Sequence, residues 1–169
     1  MKNLMLLVVL VMMFFTSSVY SQDDFTPIEV KVVSKPNVMR TVDEFTGKVK
    51  INSSYGENVT VLKYVEGKTT TTYLSLNTTG STCVVDGTGV IVLFKDGTKW
   101  VKNGEEIDCD VNTGSGSSFK YSAFITLTPA DIKLFSAKKV KKFKLYIFEG
   151  SVRNPEKFNA EFVEAISMK

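Results

Sequence analysis

The chain has 169 residues, with 21 basic, 18 acidic and no histidine side chains, so its formal net charge is only +3. This length fits one domain, and so small a charge argues against general binding to nucleic acid or to membrane surfaces. The lack of histidine removes the commonest general base, the commonest metal ligand and any Ser-His-Asp triad. We therefore predict no cofactor and expect a protein that is not an enzyme.

The first 21 residues have the layout of a secretory signal peptide. Lys2 is positive, the residues from Leu4 to Phe15 are apolar without interruption, and Val19 and Ser21 provide a cleavage site. A membrane-spanning helix needs roughly 20 apolar residues, so this shorter run favours a cleaved signal over the alternative of an uncleaved anchor. The sequence predicts cleavage after Ser21 and a secreted or periplasmic protein that is no longer attached to a membrane.

The rest of the chain is predicted to consist of a lead-in and one β-rich domain. In the lead-in, residues 22–43, the side chains of Ile28, Val30 and Val32 alternate with polar neighbours. This period of two indicates a short strand. The single β-rich domain is predicted to span residues 44–169 and to include a C-terminal helix.

Alternating apolar and polar residues predict the first strands of the domain. Phe45, Val49 and Ile51 share one face of a half-buried strand. The next two strands are predicted over residues 59–65 and 69–76, with a turn between them. Threonine-rich sequence favours extended structure in the second of these, because β-branched side chains are stiff.

The centre of the chain predicts a meander of three strands. Asp96-Gly97 and Asn103-Gly104 are both two-residue signals for type I′ hairpin turns. In that register Leu93 faces Trp100, and Trp100 faces Ile107, which places the only tryptophan in the core. Two charged pairs follow from the same register, Lys102 with Glu105 and Lys99 with Asp108.

The two cysteines are predicted to form a disulfide. On the third meander strand Ile107, Cys109 and Val111 point inward, so Cys109 can meet Cys83. In an exported protein an even pair of cysteines is expected to be oxidised. The bridge would close a loop of about 26 residues, which is worth roughly 3.5 kcal/mol in the chain-entropy model.

The last third of the chain contains two predicted helices and two strands. After a strand over residues 119–127, Thr128 caps a short helix, Pro129 takes its first position and Asp131 completes a capping box. A Lys-rich link leads into a strand whose inward residues are Phe143, Leu145 and Ile147. The final helix begins after Asn154 and carries an apolar stripe of Phe158, Phe162 and Ile166.

Together these patterns predict a mainly β (α+β) fold. We expect nine or ten antiparallel strands in a β-sandwich or a partly closed barrel, with a short helix and a C-terminal helix. The Leu127-Thr128-Pro129-Ala130-Asp131-Ile132 segment, the Lys-rich link and the strand after it resemble small exported β-rich proteins of Bacteroidetes-type bacteria. The resemblance covers about the last third of the chain and points to proteins of unknown function.

Asp108, Asp110 and Asn112 are the best candidates for a metal site. Alternating oxygen ligands on one strand face, followed by Gly114, could hold Ca²⁺. The pattern departs from the EF-hand loop, because its glycine comes one place late and Phe119 stands where the bidentate glutamate belongs. A solvated strand face explains the same residues, and we expect no metal.

The carboxylates of Glu106, Asp108 and Asp110 raise a second possibility, that of a hydrolase. Alternate positions on a strand lie about 7 Å apart, a spacing that resembles the carboxylate separation of inverting glycosidases. However, an acid and a base should flank a cleft from different elements and have different environments. The sequence favours the solvated strand face here too.

Lysines are concentrated at one place, namely Lys138, Lys139, Lys141, Lys142 and Lys144. Such a run suits an anionic partner, for example an acidic glycan or protein. It also suits an edge strand on which lysines prevent pairing with another sheet. We favour the edge-strand interpretation.

Three functions are open on this evidence. The leading hypothesis is an exported, non-enzymatic binding or structural module that contacts an extracytoplasmic protein or glycan through its loops or a sheet face. The second is a carrier of a small apolar ligand in a lipocalin-like barrel, although the usual Gly-x-Trp of the first strand is absent. The third is a carboxylate-dependent hydrolase. Nucleic acid is not an expected partner, and neither is a membrane once the signal has been removed.

Overall fold

The computed structural model describes residues 37–53, 58–84, 86–112 and 118–169. The predicted signal peptide, the predicted lead-in strand and the glycine of the candidate calcium loop lie outside these residues. In chain order, the strands and helices are β1 (Val38–Val42), β2 (Val49–Ser53), β3 (Val59–Glu66), β4 (Thr69–Gly80), β5 (Thr88–Phe94), β6 (Lys99–Glu106), β7 (Asp108–Val111), β8 (Phe119–Thr126), α1 (Pro129–Ala137), β9 (Val140–Leu145), β10 (Phe148–Ser151) and α2 (Pro155–Ser167).

The strands form two antiparallel sheets whose inner faces share one hydrophobic core. The larger sheet has the order β1-β2-β3-β4-β8-β7, and the smaller has the order β10-β9-β5-β6. Both helices contribute to the core, whose largest fully buried apolar side chains are Tyr121, Phe94, Phe135, Phe143, Phe162, Ile51, Leu74, Leu76, Ile125 and Leu145. The described strands close no barrel, so the mainly β prediction is confirmed in its sandwich form.

The central strands of the larger sheet alternate between buried and solvent-facing residues. Along β3, β4 and β8 every second side chain enters the core, as the period of two predicts. The turn between β3 and β4 is Gly67-Lys68, where Gly67 has a φ of 60°. Glycine adopts this left-handed conformation without a Cβ clash. The strand β4 extends to Gly80, further than predicted, because its last residues pair with β8.

The hairpin between β5 and β6 has a register one residue away from the predicted one. Val92 pairs with Trp100, so the predicted partner, Leu93, instead faces Lys99. The physical reason is a three-residue loop, in which the Phe94 N–H donates to the Thr98 carbonyl over 2.9 Å. The loop glycine has a φ of 85°, which suits a type I turn followed by a left-handed residue. Trp100 is nevertheless buried, as predicted.

The second predicted hairpin, at Asn103-Gly104, is wrong. Gly104 has a φ of 73° but lies inside β6, where the register with β5 shifts between Thr88 and Val90. A glycine with positive φ serves a bulge as well as a tight turn. The chain then crosses at Ile107 into the larger sheet, so β7 pairs with β8 rather than with β6. The predicted pairs of Trp100 with Ile107, Lys102 with Glu105 and Lys99 with Asp108 therefore do not form.

Five further features differ from the predictions. The side chains of Phe45, Val111 and Ile147, all predicted to point inward, are exposed. Phe45 and Ile147 lie in turns rather than strands, and Val111 is at the end of an edge strand. The strand β1 was not predicted, because it lacks an apolar alternation. The Lys-rich β9 is not an edge strand, since β10 and β5 flank it on both sides.

The helix α1 is held to the sheet by its N-terminal cap. Thr128 and Asp131 form the predicted capping box, with Pro129 in the first turn. Asp131 also accepts a 2.7 Å hydrogen bond from the Trp100 indole Nε1–H and lies 3.4 Å from the Lys102 ammonium. Burial tends to raise the pKa of Asp131, but the hydrogen bonds from Thr128 and Trp100 and the charge of Lys102 outweigh it and lower that pKa.

The helix α2 packs against the larger sheet with its predicted apolar stripe. Phe158 and Phe162 are buried, and Asn154 caps the first turn by accepting a hydrogen bond from the Lys157 N–H. At the other end, the buried ammonium of Lys63 on β3 donates to the backbone carbonyls of Ile166 at 2.6 Å and Met168 at 2.5 Å. Among the described residues, no helix is long and apolar enough to cross a membrane.

Candidate binding face on the larger sheet

The outer face of the larger sheet carries three aromatic side chains on neighbouring strands. Tyr64 is on β3, Tyr73 on β4 and Phe124 on β8. The strand register places Tyr64 opposite Thr71 and Phe124 opposite Ser75, so each aromatic residue lies diagonally across from Tyr73. Diagonal neighbours on one sheet face are within reach of aromatic side chains. We call this surface the aromatic face.

The three rings contact one another in one continuous cluster. Tyr64 meets Tyr73 edge to face, with ring centroids 5.9 Å apart. Tyr73 stacks on Phe124, with centroids 4.6 Å apart and an interplanar angle of 18°. Phe124 is still 50% exposed, so the side of its ring away from Tyr73 is open to solvent. The phenol hydroxyls of Tyr64 and Tyr73 form no hydrogen bond with the part of the chain that the structure describes.

A depression lies beside the cluster. Its volume is about 320 Å³, at the lower end of the range for small-molecule sites. The lining residues are Lys48, Tyr64, Glu66, Thr69, Thr71, Tyr73 and Phe124. Lys48 lies 5.4 Å from the centre of the Tyr64 ring and 3.3 Å from the carboxylate of Glu66. The depression therefore joins an aromatic wall to polar groups whose charges are already paired.

The disulfide between Cys83 and Cys109 is present, as predicted, with 6.1 Å between the two Cα atoms. It ties the segment that follows β4 to β7 at the edge of the sheet. Nearby, the backbone N–H of Val84 donates to the hydroxyl of Tyr121. The bridge thus fixes the edge of the sheet that carries the aromatic face.

The candidate calcium ligands lie at that same edge. Asp108 and Asp110 are exposed on β7, opposite Ser122 and Lys120 of β8. The backbone N–H of Asn112 donates to the carbonyl of Ser118. No group of three or more histidine, cysteine, aspartate or glutamate residues that could hold a metal ion occurs among the described residues.

The three carboxylates considered for a hydrolase are divided between the two sheets. Glu106 ends β6 in the smaller sheet, whereas Asp108 and Asp110 belong to β7 in the larger one. All three side chains are exposed. This arrangement lacks the contrasting buried and solvated environments that set a catalytic acid apart from a base.

The lysine run is partly neutralised within the fold. Lys142 and Lys144 lie 2.9 Å and 3.6 Å from Glu149, and the hydrogen bond and charge of Lys142 lower the pKa of that carboxyl. Lys138 lies 2.7 Å from Asp96, and its hydrogen bond holds the pKa of Asp96 well below the ordinary value. These ion pairs reduce the charge that the run offers to an anionic partner, although Glu149 is shared by two lysines.

A second depression, of about 290 Å³, lies on the outer face of the smaller sheet. Its floor is aliphatic, with Ile91 and Leu93 on β5. Three lysines line it, of which Lys142 and Lys144 are paired with Glu149 and Lys99 is not. Unlike the aromatic face, the lining of this depression contains no exposed aromatic ring and no hydroxyl side chain.

The aromatic face was not among the sites expected from the sequence. Tyr64, Tyr73 and Phe124 each occupy a polar-facing position in the predicted alternation, which is the signal that could have marked them. Their juxtaposition depends on β4 pairing with β8, although β5, β6 and β7 intervene in the chain. The sequence does not specify that pairing. Comparison with protein-family models, curated proteins and solved structures finds no match for this chain.

Proposed function

We propose that this chain is an exported, non-enzymatic binding module and that the aromatic face is its binding surface. The observation that carries the proposal is the cluster of Tyr64, Tyr73 and Phe124 on the solvent side of the sheet. Phe124 is exposed and Tyr64 and Tyr73 are partly exposed, and a contiguous apolar cluster on a free surface is a feature of binding sites. Aromatic side chains also dominate the energetics of binding sites.

The simplest alternative is that the cluster only stabilises the sheet. Cross-strand aromatic pairs contribute roughly 0.2–1 kcal/mol each. That role needs contact between the rings, but it does not need a depression beside them or a Phe124 residue that is 50% exposed. Removing a cluster that only stabilises the sheet should lower stability and leave binding unchanged, whereas removing a binding cluster should weaken binding.

Export is part of the same proposal. It rests on the signal-peptide layout of residues 1–21 and agrees with the Cys83–Cys109 disulfide, since such bonds persist in oxidising compartments. The surface location favours a module over the carrier hypothesis, because the described strands enclose no barrel interior for an apolar ligand.

The test uses the exported protein collected from the cells that produce it. It measures binding of this protein to the isolated outer surface material of those cells, which we call the surface fraction. The test variant is Tyr73→Ser/Phe124→Ser. The matched control is Ile91→Ser/Val101→Ser, which removes two exposed apolar side chains from the outer face of the smaller sheet.

The proposal predicts that the wild type and the control bind alike and that the aromatic variant binds at least tenfold more weakly. Both variants should remain folded, and the aromatic variant should lose no more than about 2 kcal/mol of stability, because it removes two cross-strand ring contacts. Equal binding by all three proteins, or binding by none, would contradict the proposal.

A further inference from the structure

We infer that the ligand of the aromatic face is a neutral glycan, an inference that rests on the proposed function. A sugar ring has an apolar side of C–H groups and a rim of hydroxyl groups. The ligand therefore needs aromatic carbon to contact the first and uncharged donors and acceptors to bind the second. The aromatic face offers both chemistries side by side.

The aromatic cluster suits the apolar side of a sugar. An aromatic ring has a negative face, which attracts the slightly positive hydrogens of C–H groups. Phe124, which is 50% exposed, and the partly exposed Tyr64 and Tyr73 form a strip that crosses three strands. Adjacent strands lie about 4.8 Å apart, so the strip spans roughly 10 Å and can contact more than one sugar unit.

Rows of uncharged polar side chains flank the strip. The register places Thr126 beside Tyr73, Thr71 beside Tyr64 and Ser75 beside Phe124. Further hydroxyl and amide groups on the same face belong to Thr60, Asn77, Thr79, Ser122 and Asn52. Each hydroxyl is both donor and acceptor, which matches the hydroxyl groups of a sugar.

The charges of the face balance, which argues for a neutral ligand. The strand pairing puts three lysines and three acidic residues there, namely Lys48, Lys50, Lys120, Glu66, Asp108 and Asp110. Single-stranded nucleic acids also stack on aromatic side chains, but they need a positively charged groove along the backbone. An acidic glycan has the same requirement, and the face does not meet it.

The composition of the face also favours a glycan over a protein partner. Protein interfaces have an apolar core inside a polar rim and bury about 800 Å² on each side. Here the apolar side chains on the same face are the three rings, Leu62 and, on the edge strand β1, Met39, and hydroxyl groups lie between and around the rings. Such a mixed surface can form hydrogen bonds with closely spaced hydroxyl groups of a ligand, whereas it cannot bury a continuous apolar patch.

The first experiment is native electrophoresis of the exported protein through gels that contain a dissolved polysaccharide. The neutral probes are xyloglucan, mixed-linkage β-glucan, galactomannan and soluble starch, and the charged probes are polygalacturonate and heparin. The inference predicts that at least one neutral probe retards the wild type and the Ile91→Ser/Val101→Ser control. Retardation of Tyr73→Ser/Phe124→Ser should be at least tenfold weaker, and the charged probes should have no effect.

The second experiment separates failure of this inference from failure of the proposed function. The surface fraction is treated either with periodate, which cleaves the vicinal diols of sugars, or with a protease, and binding is then measured again. A glycan ligand predicts that periodate abolishes binding and that protease leaves it intact.

Binding that depends on the aromatic face but survives periodate and is lost after protease would overturn the glycan inference and leave the binding module standing. Binding that is unaffected by Tyr73→Ser/Phe124→Ser would overturn both. Retardation by the charged probes alone, or by no probe at all, would also contradict the inference.

Discussion

Trp100 joins the smaller sheet to the helix α1, and its removal should be among the most destabilising single changes in the chain. The side chain is 7% exposed and meets Phe135 edge to face, with ring centroids 5.1 Å apart. Its indole N–H donates to Asp131, which also caps the helix. Trp100→Ala removes the ring, the aromatic contact and this hydrogen bond together.

The loss of stability in Trp100→Ala combines the loss of the buried ring, of its contact with Phe135 and of the hydrogen bond to Asp131. A buried Trp→Ala change costs about 3–5 kcal/mol, which includes the cavity that it leaves. The variant Trp100→Phe keeps an aromatic ring against Phe135 and removes the indole N–H. A hydrogen bond to a charged group is worth about 1.5–3 kcal/mol, so this variant should lose roughly that amount. Trp100→Phe should therefore unfold at a denaturant concentration between those of the wild type and Trp100→Ala.

The assay is urea denaturation of the disulfide-intact protein, followed by circular dichroism so that the signal does not depend on the tryptophan. Val101→Thr is the matched control, since the side chain of Val101 is 49% exposed and threonine keeps the β-branch. It should change the free energy of unfolding by no more than about 0.5 kcal/mol. If Trp100→Ala changed stability as little as this control, the assignment of Trp100 to the core would be wrong.

Four further predictions concern the disulfide, two buried charged residues and cleavage of the signal peptide. Replacing Cys83 and Cys109 together by serine should cost about 3 kcal/mol, as expected for a loop of this size, and thiol titration of denatured, unreduced wild type should find no free thiol. Because the pKa of Asp131 is lowered in the folded state, its contribution to stability is full above the ordinary carboxyl pKa and is lost as the pH falls through the folded value. Asp131→Asn should therefore lose less stability than the wild type between pH 7 and pH 2 in urea denaturation. Lys63→Met should leave carbonyls at the end of α2 unbonded and cost about 1–3 kcal/mol, with faster hydrogen exchange in that helix turn; unchanged exchange would show that these bonds are dispensable. Intact mass of the exported protein should match a chain that begins at Gln22, whereas a retained N-terminus would contradict signal cleavage.

Features that depend on neighbouring residues could be predicted from the sequence. The alternation of β3, β4 and β8 follows directly from burial on one face of a strand. The cap of α1 follows from Thr128, Pro129 and Asp131, which lie within four consecutive residues. The disulfide could be predicted from an even pair of cysteines and the expectation of export.

Features that depend on which distant strands meet could not be predicted in this way. A glycine after asparagine or aspartate predicts a residue with positive φ. The same φ occurs in a two-residue hairpin loop, in a three-residue hairpin loop and in a β-bulge, so the glycine does not say which of them forms. Gly97 and Gly104 take the second and third of these forms, and the predicted register failed at both. The aromatic face could not be predicted for the same reason, because Phe124 lies beside Tyr73 only when β8 pairs with β4.

Hydroxyl-radical footprinting of the exported protein, free and bound to the surface fraction, tests the central claim most directly. Mass spectrometry reports the oxidation of each side chain, and aromatic rings are among the groups that react readily. The account predicts that Tyr64, Tyr73 and Phe124 become protected on binding, while Val101 and Ile147, which are exposed elsewhere, keep their reactivity. Unchanged oxidation of the three aromatic residues in the bound protein would contradict the claim that the aromatic face is the binding surface.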